Sequence, residues 1–337
     1  MTLSSTLEHW AFRQPFRITG HVFDGIDVVI ATVRAGGLSG RGEAAGVYYR
    51  GETAAAMAAS IDALDVDAAD LDRQRLLALL PAGGARNAVD CALWELESRR
   101  TAQPVWKLAG VPQLRPLPTT WTLGAEDPGT MAQRARQYDQ ARLLKLKLVG
   151  DGADAERVAA VRAARPDAWI GVDANQGFTR DSFHALLPVL VDADVQLVEQ
   201  PFPTDCDHWL DGLGSPIPLA ADESVQHRAD IEPLVGRVEM INIKLDKCGG
   251  LTEALAMVAL ARRLGLKVMV GNMIGTSLST APAFVLGQCC DLADLDGPLL
   301  LSADRTPSVV YRDGGIWCAE NVWGHANPPL VEMETAR

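Results

Sequence analysis

The chain has 337 residues, 48% hydrophobic and 22% charged, with a formal net charge of −12. That length can hold one barrel-sized domain plus a smaller companion around a substantial core. The negative charge, with no basic block, argues against a nucleic-acid partner. No run approaches the ~18 apolar residues of a membrane span.

The N-terminal residues MTLSSTLEHWAFRQPF carry no basic stretch followed by an apolar one, and the six cysteines form no C-x-x-C pair. The expectation is a reduced, cytoplasmic protein whose cysteines mostly fill core positions.

In chain order, residues 26–33 (IDVVIATV) are rich in β-branched residues and read as a strand, with Gly36-Gly37 as its turn. The segment GEAAGVYYRGET reads as a mobile surface loop. Residues 53–65, 70–80 and 86–99 read as helices. Prolines 104, 112, 116 and 118 then break the pattern, which places a domain boundary near residue 115.

Beyond it, strand and helix patterns alternate. Strands are expected at 119–123, 142–148, 168–174, 195–200, 217–223, 239–245, 267–271 and 291–296. Helices are expected at 128–141, 153–164, 180–190, 227–235, 251–264 and 276–287, with a short helical stretch between the fourth and fifth strands. Eight such units close into a parallel barrel. The tail after residue 305 has short strands around Gly314-Gly315 and could return to the first domain. The domains expected are therefore 1–115, with 306–337 packing back on it, and a barrel at 116–305.

Charged residues interrupt the apolar strands at Lys145, Lys147, Asp173, Glu199, Asp222, Lys244, Asp294 and Asp296. From Lys147 onward to Asp173, Glu199, Asp222 and Lys244 the gaps are 26, 26, 23 and 22 residues, and Asp296 follows 52 later. Each short gap is about one strand–helix unit, so the side chains fall at one height, the C-terminal mouth where barrel enzymes keep their sites. Asp173, Glu199 and Asp222, from three successive strands, form a hard oxygen site suited to Mg²⁺ or Mn²⁺. The alternative is a set of structural ion pairs.

Lys145 and Lys147 share a strand face. Lys244 lies four strands further on, so its amine approaches the centre from the opposite side. A lysine acts as a base only when neutral, and a nearby cation and desolvation both lower its pKa. A metal with two opposed lysines suits removal of a proton next to a carboxylate and its return to the other face.

The motifs KLK (145–147), VDAN (172–175), VEQP (198–201), ADES (221–224), NIKLDKCGGLTEA (242–254), GNMIGTS (271–277) and DLDGPLLL (294–301) resemble the enolase superfamily, in its muconate-lactonising branch, and within it the dipeptide epimerases. The resemblance implies a modified (β/α)₇β TIM barrel under an α+β capping domain. It implies Mg²⁺ on Asp173, Glu199 and Asp222, Lys147 and Lys244 as acid/base pair, and Lys145 as electrostatic support. It also implies a substrate ammonium held by Asp294 and Asp296, a dipeptide of the L-Ala-D/L-Glu kind as substrate, and a homo-oligomer.

Two departures bear on substrate choice. Gly275 stands where many relatives carry another residue. His21 stands about where Ala-Glu epimerases can carry an arginine for the substrate's glutamate side chain; His21 and Met273 are the expected specificity residues, with Arg17 or Arg50 as the alternatives to that arginine. Three other readings compete. One keeps the site but acts as an o-succinylbenzoate synthase, N-acylamino-acid racemase or muconate cycloisomerase. A sugar-acid dehydratase is disfavoured because no histidine falls at the seventh strand. A non-catalytic metal-binding barrel is disfavoured by its buried like charges.

Overall fold

The computed structural model describes residues 2–64 and 71–325. The chain opens with a three-stranded antiparallel sheet, β1 (Thr2–Ile18), β2 (His21–Ala35) and β3 (Leu38–Ala44). The β1–β2 register shifts between Ala11 and Phe16, and Phe12 and Phe16, four residues apart on one face of β1, are both buried.

Helices α1 (Ala54–Asp62), α2 (Arg73–Leu79), α3 (Gly84–Thr101) and α4 (Val105–Leu108) follow. Helix α3 lies directly on β3. A Cβ at Gly40 would meet the Ala92 carbonyl at 2.0 Å, and one at Gly42 would meet the Ala88 carbonyl at 2.1 Å. Only glycine permits that approach. The end of the expected helix 53–65, the start of the one at 70–80, and residues 326–337 of the tail lie outside the described residues.

The segment read as a mobile surface loop is instead built in. Residues 42–44 complete β3, residues 45–47 are buried, and Tyr48–Arg50 form a 3₁₀ turn. Their backbone donors have fixed acceptors: Asp246 takes Ala45 N at 3.0 Å and Gly46 N at 2.9 Å, and Glu52 takes Val47 N at 2.8 Å. Glycine content suggested freedom; the buried Asp246 and half-buried Glu52 carboxylates remove it.

After the two-residue strand β4 (Leu117–Pro118), the alternating series begins. Its members are β5 (Thr120–Leu123), α5 (Pro128–Gln137), β6 (Leu143–Lys147), α6 (Asp154–Ala164), β7 (Trp169–Asp173), α7 (Arg180–Asp192), β8 (Val195–Glu199), β9 (Leu219–Ala221), β10 (Met240–Lys244), α8 (Leu245–Cys248), α9 (Leu251–Arg263), β11 (Lys267–Gly271), α10 (Ser277–Gly287), β12 (Leu292–Asp294) and α11 (Gly297–Leu300). Strands β5 to β12 form one eight-stranded sheet in sequence order, and a parallel bridge from Thr119 to Ala293 joins its ends. This is the expected TIM-type barrel under an α+β cap.

Some elements differ from expectation. The strands at 217–223 and 291–296 are only Leu219–Ala221 and Leu292–Asp294. Residues 227–235 form two 3₁₀ turns, Arg228–Asp230 and Glu232–Leu234, rather than an α-helix. Pro233 lacks a backbone donor, and the Asp230 carboxylate takes Gln226 N at 2.8 Å and His227 N at 3.0 Å, which tightens the chain locally.

The tail forms β13 (Val310–Arg312) and β14 (Gly315–Trp317). Strand β14 pairs with β4 at the start of the barrel. Further on, Trp323 Nε1 donates to the Arg41 carbonyl and Ser98 Oγ to the Gly324 carbonyl, so the described tail also touches the cap. No helix among the described residues is long and apolar enough to cross a membrane.

Candidate active site

Strand register explains why the charged residues gather. Lys147 pairs with Asp173, and Asp173 with Glu199; on the other side Lys244 pairs with Gly271, and Gly271 with Asp294. Asp222 follows immediately after β9. Residues far apart in sequence thus stand at one height at the C-terminal mouth. Gly271 leaves room for Lys244: a Cβ there would meet Asn242 Oδ1 at 2.7 Å and Lys244 Cε at 3.0 Å.

Asp173, Glu199 and Asp222 are fully buried, and each offers an oxygen within 4.8 Å of the others. The lysines lie directly on them. Lys145 Nζ bridges Glu199 at 2.7 Å, Asp294 at 2.8 Å and Asp173 at 3.1 Å. Lys147 Nζ is 2.6 Å from Asp173, and Lys244 Nζ is 2.6 Å from Asp222. Lys147 and Lys244 both line one cavity, together with Asn175, Glu223, Asn272 and Met273.

Burial pushes the Asp173 carboxyl up, but Lys147 and Lys145 outweigh it and leave it at about 2. Asp222 is likewise held low by Lys244 and Lys247 against the effect of burial. Burial and then the Asp173 charge push Glu199 up to about 7; burial and Asp222 push Glu223 up to about 8. At the last strand, burial resists but Lys145 holds Asp294 low, while burial and the Asp294 charge push Asp296 up to about 7.

Burial alone lowers the Lys145 and Lys244 amines. For Lys145 the charges of Asp294, Glu199 and Asp173 win, for Lys244 that of Asp222, and both stand well above the ordinary lysine value. Among these carboxylates alone the Lys145 and Lys244 amines are held as ammoniums; the expected lowering belongs to the site with a cation set among the same acids.

The charge balance bears on a metal. Six buried carboxylates (Asp173, Glu199, Asp222, Glu223, Asp294 and Asp296) face four buried ammoniums (Lys145, Lys147, Lys244 and Lys247) among the described residues. The excess is two negative charges, and it shows in the three acids pushed up to about 7 or 8. An all-oxygen triad with that surplus fits one hard divalent cation.

Asp294 gives one oxygen to Lys145 and the other to Thr120 Oγ1; Asp296 accepts Thr122 N at 2.6 Å. Met273 lines the cavity. His21 lines a separate depression with Arg17, Gly20 and Val22; its ring stacks on Phe23 and meets Tyr48 edge-on, and both of these line the cavity.

Several supporting residues escaped sequence reasoning. Lys247 Nζ donates to the Asp222 carboxylate and carbonyl and to the Asn242 carbonyl. Asn242 Nδ2 donates to Glu199 at 2.8 Å. Gln200 Oε1 accepts Asp222 N and Ser224 N. Asn175, Gln176 and Gln200 hold left-handed φ values of 42°, 68° and 38° at the ends of β7 and β8, the kind of local strain that clusters at working sites. The available signal was position: each polar residue sits on, or within a few residues of, a strand already carrying a site acid or lysine.

Acids and lysines on successive strands of a capped barrel are the arrangement of enolase-type enzymes. The chain belongs to that family: residues 130–320 match the enolase C-terminal domain-like family, and residues 1–110 match the mandelate racemase / muconate lactonizing enzyme N-terminal domain. It is 38% identical over 310 residues to the L-Ala-D/L-Glu epimerase of Escherichia coli (strain K12), covering 91% of this chain and 96% of that protein. Among solved structures it resembles an enolase family member from Agrobacterium tumefaciens with homology to dipeptide epimerases, bound to sodium and L-Ala-L-Glu (TM-score 0.92, 41% identity, 96% of this chain and 99% of that one). It also resembles the dipeptide epimerase from Methylococcus capsulatus complexed with Mg and L-Arg-D-Lys (TM-score 0.86, 31% identity, 94% and 96%).

Proposed function

We propose that this protein is a Mg²⁺-dependent dipeptide epimerase that inverts the α-carbon of the substrate's C-terminal residue. The observation that carries this is one cavity lined by two lysine amines, Lys147 and Lys244, each anchored to a different acid of the buried triad.

Asp173, Glu199 and Asp222 are the residues that would hold the ion. Bound there, Mg²⁺ supplies positive charge that stabilises the extra negative charge on the substrate carboxylate as the α-proton leaves. One lysine Nζ, in its neutral form, takes that proton from the α-carbon, which becomes planar. The other lysine, as the ammonium, delivers a proton to the opposite face. Lys145, which bridges three carboxylates, keeps positive charge beside the reacting carboxylate. Asp294 and Asp296 bind the dipeptide's free α-ammonium. His21 backs the wall of the site and Met273 forms part of it.

The same reading has the protein work in the cytoplasm as a homo-oligomer, on small molecules and away from nucleic acid and membranes.

The test is incubation with a dipeptide panel in deuterated water with Mg²⁺. Deuterium at the C-terminal α-carbon, read by mass spectrometry, is expected. No uptake with any dipeptide, or uptake only with N-acylated amino acids, which lack the ammonium, would overturn the assignment.

A further inference from the structure

We infer that this site selects dipeptides whose C-terminal residue has an uncharged, apolar side chain, with Phe23 and Tyr48 setting that choice; the inference rests on the epimerase reading. The four bonds of the reacting carbon fix the directions. Its carboxylate points to the acid triad, its hydrogen to one of the two lysines, and its amide nitrogen toward the Asp294–Asp296 side. Asp294 and Asp296 are absent from the lining of the cavity that Lys147 and Lys244 share. The remaining bond, to the side chain, therefore runs up that cavity toward the cap.

The cap's contribution there is Phe12, Phe16, Ile18, Phe23, Ile26 and Tyr48, and the loop after β11 adds Met273 and Ile274. Phe23 and Tyr48 meet edge to face with centroids 5.4 Å apart, and Tyr48 and Tyr49 do so at 5.2 Å. Such stacks make a firm, low-dielectric face.

Among the described residues, the only cations lining this cavity are Lys147 and Lys244, and both are held by triad acids. Glu223 is the one acid there among the described residues. Arg50 is exposed and reaches Gln226, while Arg17 and His21 line the other depression. The His21 Nδ1 faces the Thr19 carbonyl at 3.2 Å. A glutamate side chain would thus lose its water against rings with no cation to receive it, whereas an aliphatic or aromatic one gains by burial. This differs from the ligand of the Agrobacterium tumefaciens relative, L-Ala-L-Glu.

The experiment measures kcat/KM for deuterium uptake with L-Ala-L-Leu, L-Ala-L-Phe, L-Ala-L-Lys and L-Ala-L-Glu. The wild-type protein should favour Leu or Phe over Glu by about tenfold or more, within the range that pocket contacts supply. Phe23→Arg should shift the Glu-to-Leu ratio toward Glu by about tenfold, and Phe23→Leu should change it by less than about threefold. Fastest turnover of the Glu or Lys dipeptide overturns this inference alone, as does a ratio unmoved by Phe23→Arg. Uptake confined to panel dipeptides with a charged C-terminal residue also overturns this inference alone, and absence of uptake across the whole dipeptide panel overturns the epimerase reading and this inference together.

Discussion

At the barrel mouth the acids and lysines are held by one another across neighbouring strands, whereas on the cap side of the same cavity the wall is a set of rings stacked edge to face. Strand register controls the first region: moving Lys147 or Asp173 by one residue would turn it to the other side of the sheet. Packing controls the second, through one face of β1 that buries Phe12 and Phe16 and a 3₁₀ turn that presents Tyr48. The difference implies a division of labour. Changes at the mouth should alter the rate for every substrate, while changes in the wall should alter which substrate is preferred.

The sharpest way to break that division is to remove the bases. Lys147→Ala and Lys244→Ala should each lower epimerisation by about 10²–10⁴-fold, the usual contribution of a positioned acid or base. Each variant should still exchange the α-proton of one antipode, from the face served by the remaining lysine. Deuterium uptake followed separately on the L,L and L,D forms reads this out. Equal loss on both forms for both variants would mean that the amines do not serve opposite faces.

A second test concerns the seam between the regions, where buried carboxylates cap backbone donors across it. Asp90 on α3 accepts Thr252 N at 3.0 Å and Thr252 Oγ1 at 2.6 Å, at the start of α9; Glu43 on β3 accepts Thr276 N at 2.7 Å, at the start of α10. Burial pushes Asp90 from 3.8 to about 6, despite the Thr252 hydrogen bonds and the charges of Arg73 and Arg86. Its folded-state pKa is raised, so its stabilising contribution is present in full below pH 4 and is lost as pH rises through 6. Relative to wild type, Asp90→Asn should gain stability from pH 4 to pH 7 by up to about 3 kcal/mol, two pKa units' worth. Urea midpoints at the two pH values measure it; a constant difference would show that Asp90 does not titrate in this range.

The two regions also differed in how far the sequence exposed them. The barrel, its eight strands and the charged ring were legible because a costly polar residue at the end of six of the eight strands repeats with the length of one or two structural units. The cap's wall was not, because Phe12 and Phe16 on β1, Phe23 on β2 and Tyr48 in the 3₁₀ turn come from three elements and converge only through the packing of the cap on the barrel. The buried segment at 45–47 was misread for the same reason. Its acceptor, Asp246, lies about 200 residues away, and no local pattern reports such a partner. Lys247 and Asn242 were visible as letters in a site motif, but their task of holding Asp222 and Glu199 depends on side-chain reach that spacing does not encode.

A smaller effect separates substrate capture from proton transfer within the mouth itself. Asp296→Asn keeps the size of the side chain and an acceptor for Thr122 N but removes its charge. For free dipeptides kcat/KM should fall by about 10–100-fold, the worth of a charged hydrogen bond. Turnover of an N-acetylated analogue, if measurable, should be unaffected. An equal fall on both would place Asp296 with the proton-transfer groups rather than with the ammonium.

The smallest effect tests whether the mouth is insulated from its surroundings. Helix α7 begins with a reciprocal capping box: Ser182 N donates to Thr179 Oγ1 at 3.1 Å, and Thr179 N to Ser182 Oγ at 2.9 Å. Thr179→Ala should cost about 1 kcal/mol of stability by urea unfolding. The cap lies just after the β7 loop that carries Asn175 and Gln176, yet Phe183 in the first turn is fully buried and anchors the helix without it. Fraying should therefore stop short of Asp173, whose position is fixed by β-ladder pairing and by Lys145 and Lys147. Deuterium uptake within about twofold of wild type, alongside the stability loss, is the expected result. A rate that fell tenfold would show that the ends of the outer helices tune the acid triad, and that the mouth is less self-contained than its network of ion pairs implies.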